Sequence, residues 1–182
     1  MRDKVKNRQL NNKGFSLIEL IVIMIIVVIL ATAVVVAFVN SEDQKTKSSA
    51  TLVSKYLDNV MNYSMTKGNA YLTLGYDSGR YYVKDSENHS EKLSPAIEVS
   101  YHIENSKNVI VIDENNKLMI SFSRTNGSFT PIIKSVNADG TFVYETTGDS
   151  NTNVYADNIT IKCNDSTKVI HLYTKTGVYE IE

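Results

Sequence analysis

Residues Phe15–Val39 form an unbroken apolar stretch of 25 residues whose only charge is Glu19. As a helix it would extend about 37 Å, enough to cross a hydrocarbon core of roughly 30 Å. Five basic residues precede it (Arg2, Lys4, Lys6, Arg8, Lys13) against one acidic residue, Asp3. A cationic start before an apolar run predicts a cytoplasmic N-terminus and an exported remainder. Residues 41–182 carry 14 Lys and Arg against 18 Asp and Glu. So mildly acidic a part offers no general attraction to nucleic acid. The 182-residue length leaves about one domain beyond the apolar run. A single Cys excludes an internal disulfide framework and a Cys-only zinc site.

Three readings of the apolar run compete. Ala31-Thr32-Ala33 has the small-x-small form of a signal-peptidase site, but Val34–Val39 stays apolar where a cleaved signal would turn polar. The run could instead be a plain single-pass anchor, or an anchor that loses its basic leader. Glu19 separates the last two, because a carboxylate within a span costs a few kcal/mol and a plain anchor has no use for it. It lies one helical turn after Phe15. Cleavage between Gly14 and Phe15 would place a new α-amine on Phe15, which a glutamate could neutralise within one chain or between two. Gly14 presents an unhindered backbone to a peptidase.

The segment Lys13-Gly14-Phe15-Ser16-Leu17-Ile18-Glu19-Leu20, followed by the apolar run, closely resembles the N-terminal motif of type IV pilins and type II secretion pseudopilins. The resemblance implies a basic leader, 1–14, removed after Gly14 by a prepilin peptidase that also N-methylates Phe15. It makes Glu19 the carboxylate that meets the Phe15 amine of a neighbouring subunit. The implied partners are that peptidase, other pilin or pseudopilin subunits, an assembly ATPase and a membrane platform protein. The implied location is the bacterial cell membrane, then an extracellular filament. One departure is the missing helix-breaking proline of many major pilins; the only prolines here are Pro95 and Pro131. A straighter helix is expected without it.

Beyond the apolar helix (15–39), Ala50, Val53, Leu57, Val60, Met61 and Ser64 recur at the spacing of one helical face. With no Gly or Pro from Phe15 to Lys67, the helix is expected to continue amphipathically through 40–67 and stop at Gly68. A β-rich head, 68–182, follows. Expected strands are Ala70–Leu74, Arg80–Lys84, Ala96–Glu104, Asn108–Asp113, Lys117–Arg124, Thr141–Thr146, Asn158–Cys163, Lys168–Thr174 and Gly177–Ile181. Gly75–Gly79 and Glu114–Asn116 read as hairpin connections; Ser86–Ser94 and Thr147–Asp157 read as polar loops. The expected fold is α+β, a long helix laid on an antiparallel sheet. The helix end near Met65–Gly75 and the closing 158–181 hairpin resemble H-type minor pseudopilins and FimT-like minor pilins.

Catalytic chemistry is not legible. Cys163 with His171, or a metal held by His89, His102 and His171, are the candidates. No ligand spacing, nucleophile motif or phosphate loop supports them, so neither enzyme activity nor a cofactor or metal is expected. Cys163 follows Ile159 and Ile161 at period two and reads as a small core residue. Asp113–Asn116 and Asn137–Gly140 offer oxygen ligands for calcium but lack the regular spacing and read as β-turns. The 11 tyrosines could serve an adhesive or DNA-binding surface, or simply be strand residues with one wet end. The expected function is a structural filament subunit for secretion, DNA uptake or adhesion, minor rather than major. The alternative is a non-assembling, membrane-anchored extracellular binding domain.

Overall fold

The computed structural model describes residues 16–147 and 152–182; the leader, Gly14 and Phe15 lie outside them. One α-helix, α1 (Leu17–Thr66), precedes the strands. The chain divides into two compact units, Met1–Phe38 and Val39–Glu182. In the first, the described residues are the opening turns of α1, whose apolar side chains are exposed from Leu17 to Leu30. The second holds the rest of α1 and every described strand. The chain is α+β.

Within the second unit, Ala50, Val53, Leu57, Val60 and Ser64 are buried, as their helical spacing requires, and Tyr56 joins them. Gly68 (φ +76°) and Asn69 (φ +53°) turn the chain out of the helix, and the Gly68 N–H donates to the Tyr63 carbonyl at 3.1 Å. That bond satisfies a last-turn carbonyl, and glycine takes the left-handed conformation without a Cβ penalty.

The strands form two main antiparallel sheets where a single sheet was expected. The first has the order β3 (Ser90–Lys92), β2 (Arg80–Asp85), β1 (Tyr71–Asp77), β6 (Leu118–Ser121). The second runs β13 (Val178–Ile181), β12 (Ser166–Tyr173), β11 (Ala156–Cys163), β4 (Glu98–Ile103), β5 (Val109–Val111). Two short pairs complete the head: β7 (Ile133–Val136) with β8 (Phe142–Tyr144), and β9 (Thr146–Thr147) with β10 (Thr152–Asn153). Leu72, Leu74 and Val83 from the first sheet and Val99, Ile159, Ile161 and Ile170 from the second share one core with the helix face. Burial of such side chains at about 25 cal/mol per Å² is the main force holding the layers together. Hydroxyl contacts pin its edges: Thr46 to Ser166 at 2.8 Å, Ser64 to the Ala70 carbonyl at 3.1 Å, and Tyr179 donating to Asp58 at 2.7 Å.

The expected hairpin between β1 and β2 forms, in register from Leu72–Asp85 to Asp77–Arg80, but with a shorter connection than Gly75–Gly79: Gly75, Tyr76 and Asp77 pair within β1 and only Ser78 and Gly79 make the turn. The second expected hairpin does not form. Asp113 does make a tight turn, its N–H donating to the Asn116 carbonyl at 3.1 Å, yet β5 pairs with β4 and β6 pairs with β1. The turn signal is local, whereas the partner is set by which sheet can bury Leu118 and Ile120. Strands β3, β7 and β10 were not expected from sequence. β3 arises because the buried carboxylate of Asp85 accepts the Glu87 N–H at 3.0 Å and the His89 N–H at 2.9 Å, folding Ser86–His89 back into a hairpin.

Candidate functional site

Helix α1 begins with a reciprocal cap. The Glu19 N–H donates to Ser16 Oγ at 3.2 Å, and the Ser16 N–H donates to Glu19 Oε2 at 3.4 Å. This is the Ser-x-x-Glu capping box, in which each side chain satisfies an otherwise unpartnered donor of the first turn. The negative carboxylate also suits the positive end of the helix dipole. Ser16 is not among the site residues expected from the sequence, although Ser16-Leu17-Ile18-Glu19 ahead of an apolar run carries the legible capping signal. The same carboxylate is exposed, as are its apolar neighbours.

Those neighbours line a groove of about 490 Å³ formed by Leu20, Ile21, Met24, Ile25, Val28 and Ile29. An apolar face this continuous is suited to lipid or to the apolar faces of other helices. Among the described residues no helix is long and apolar enough to cross a membrane. The stretch expected to span, 15–39, includes Phe15 and the side chains of Ala33, Val35, Val36, Ala37 and Val39, which lie outside the described residues.

In the head, the sequence-derived catalytic candidates do not converge. His89 pairs with Asp85 at 3.0 Å, His102 with Asp157 at 2.7 Å and His171 with Glu182 at 3.2 Å, three separate contacts. Opposite Cys163 lies Ser166, whereas His171 lies opposite Asn158, so the two candidates stand five positions apart along paired strands, about 17 Å. The Cys163 thiol is buried. Among the described residues no group of three or more His, Cys, Asp or Glu side chains could hold a metal ion. The proposed oxygen-ligand loops are turns closed by their own carboxylates. Asp113 accepts the Asn115 and Asn116 N–H groups at 2.7 and 2.8 Å, and Asp139 accepts the Thr141 N–H at 3.0 Å. These backbone hydrogen bonds hold both carboxyls below the usual aspartate range.

The geometry defines an α+β chain whose helix begins with an exposed apolar face and whose second unit packs one face of the remaining helix against β-sheet. The start of the chain is more specific. Residues 9–35 match the family described as the prokaryotic N-terminal methylation motif, the signature of type IV pilins and pseudopilins. Over that segment the chain is similar to type IV pilins and pseudopilins, and the motif implies processing by prepilin peptidase and assembly with other pilin subunits. Proteins carrying this motif are generally structural rather than enzymatic. No characterised protein sequence and no solved structure matches the chain.

Proposed function

We propose that this protein is a structural subunit of a type IV pilus or pseudopilus, and a minor rather than a major one. The observation that carries the reading is the methylation motif at 9–35 on a helix whose apolar residues lie bare. Prepilin peptidase cuts between Gly14 and Phe15 and methylates Phe15. Before cutting, the cationic leader keeps the N-terminus cytoplasmic and Phe15–Val39 anchors the subunit in the membrane with the head outside. An assembly ATPase and a membrane platform protein then move subunits into a filament, where apolar helices exchange lipid for one another at little hydrophobic cost. In that core a carboxylate without a partner costs several kcal/mol, so Glu19 selects the register in which it meets a neighbour's Phe15 amine. The lone, buried Cys163 leaves no disulfide-closed C-terminal loop of the kind common in many major pilins, which fits a pseudopilin or a pilin of Gram-positive type.

The test is the N-terminal peptide mass of the protein isolated from its own cells. N-methyl-Phe15 is the expected terminus. An uncut Met1, or a terminus at Val34, would overturn the assembly reading in favour of a plain anchor or a secreted domain.

A further inference from the structure

The outer face of the first sheet carries a cleft of about 520 Å³. Its floor is one aromatic ring on bare backbone. Tyr82 on β2 lies opposite Gly75 on β1, and a Cβ placed on Gly75 would meet the Tyr82 ring within 2.5 Å of Cζ and 2.9 Å of Cε1. The ring thus rests on the glycine, and Tyr82 also lines the cleft. Alternation along the strands places Arg80 and Lys84 on the same face as Tyr82, with Lys92 directly opposite it on β3. Lys117, just before β6, closes the other side.

Among the described residues none of these four cations makes an ion pair. The lysine pairs of the head are Lys55–Glu91 and Lys67–Glu87. Asp77 and Glu114 also line the cleft, leaving it net positive by two charges inside an acidic head. Unpaired cations around a half-buried ring are a recognition arrangement: the ring takes the flat face of a ligand, and the ammonium and guanidinium groups take its anions.

We propose that this cleft binds an acidic polysaccharide, with one sugar ring lying on Tyr82 and the carboxylates of uronic-acid units reaching Arg80, Lys84, Lys92 and Lys117. Its volume accommodates about two or three sugar rings, not a long track. Nucleic acid fits less well. Duplex DNA carries a charge every ~1.7 Å, which the surrounding acidic surface repels, and a single strand needs successive stacking platforms. Here the second aromatic at the cleft, Tyr76, is already held edge-to-face against Tyr81 at 4.9 Å. An uronic-acid chain spaces its charges by whole sugar rings, matching a small cationic pocket in an acidic head.

The experiment measures binding of tetragalacturonate, a neutral galactose tetramer and an oligothymidylate of equal charge to the full chain in neutral detergent micelles. Expected is binding of tetragalacturonate alone, weakened by salt as exposed charge contacts are. The double variant Lys84→Gln/Lys92→Gln should weaken it by about tenfold or more, and Tyr82→Ala by a similar factor. Tyr82→Phe should bind within about twofold of the parent, because it keeps the ring. The lysine variant sits on exposed or half-exposed positions and leaves the sheet intact by near-UV circular dichroism, so it decides the matter even if Tyr82→Ala fails to fold. Absence of tetragalacturonate binding, equal binding by the lysine variant, or tighter binding of the oligothymidylate or the neutral sugar would each overturn the proposal. None of these outcomes depends on whether the chain enters filaments.

Discussion

Replacing Glu19 by Gln separates the cap that its carboxylate makes at the start of α1 from the ionic role proposed for it. As a cap it accepts the Ser16 N–H at 3.4 Å, the longer of the two bonds; the shorter, 3.2 Å, uses the Ser16 hydroxyl and the Glu19 backbone. A glutamine still offers an oxygen to Ser16, so Glu19→Gln should cost the cap only a few tenths of a kcal/mol. Ser16→Ala removes the shorter bond and should cost about 1 kcal/mol. In the proposed role, as the ionic partner of a Phe15 amine in an apolar core, the carboxylate has no neutral substitute. Its loss leaves a buried ammonium unpaired, at about 3–5 kcal/mol. At 1.4 kcal/mol per tenfold, that corresponds to about a 100- to 4000-fold loss of incorporation, against about fivefold for Ser16→Ala. The assay compares each variant in sheared filaments with its membrane pool, in cells lacking the native copy, after peptide masses have established equal cleavage. Wild-type incorporation of Glu19→Gln, or a larger defect in Ser16→Ala, would refute the ionic role and make Glu19 a helix cap only.

Further expectations concern the head, each measured on the full chain in detergent. Gly177 has φ +72° and its missing Cβ would land on the Gly127 carbonyl, whereas Gly79, at φ +79°, faces open space. Gly79→Ala should therefore cost about 1 kcal/mol and Gly177→Ala about 3 or more in guanidinium unfolding. Equal costs would show that the Gly127 approach is not tight. Leu57, fully buried on the helix face, should lose about 2–5 kcal/mol as Leu57→Ala, and a loss under 1 would place it at the surface. Asp85→Ala leaves the Glu87 and His89 N–H groups without their acceptor. It should destabilise the fold by about 1–3 kcal/mol and speed amide exchange in β3; unchanged exchange would dissociate that strand from Asp85. Burial pushes the Tyr101 hydroxyl up to about 12 from its ordinary 10, helped by Glu145. The folded state thus holds this proton more tightly than the unfolded one. The associated stability is complete below pH 10 and is lost as pH rises toward 12. Tyrosine absorbance should show several phenols titrating late, because burial also pushes Tyr179 up, and Tyr101→Phe should reduce the amplitude near pH 12 by one phenol.

How much could be read in advance depended on how local each cause was. The methylation motif is contiguous, Gly14 to Leu20 plus the apolar run, so it is legible in the sequence directly, and the Ser16–Glu19 cap is equally local. The buried helix face from Ala50 to Ser64 was legible because a 3.6-residue period needs no knowledge of what packs against it. The first hairpin was legible because Ser78 and Gly79 both take positive φ, a conformation the turn demands of its own residues.

The rest was decided at long range. Asp113–Asn116 makes the same kind of turn whether the chain continues in one sheet or crosses to another, and only burial of Leu118 and Ile120 beside β1 settles which. Ser90-Glu91-Lys92 has no apolar alternation, yet it is a strand because Asp85 folds the loop and Lys84 and Tyr82 supply its partners. His102 finds Asp157, and His171 finds Glu182, only once the strands are in register. The cationic cleft is the clearest case. Arg80, Lys84, Lys92 and Lys117 are ordinary solitary charges along the chain, and pairing β3, β2, β1 and β6 side by side is what gathers them around one ring. Sequence alone determined the helix, its cap and its processing motif, because those depend on neighbours within a turn; tertiary structure decided sheet membership and the cleft, because those depend on which distant surfaces bury together.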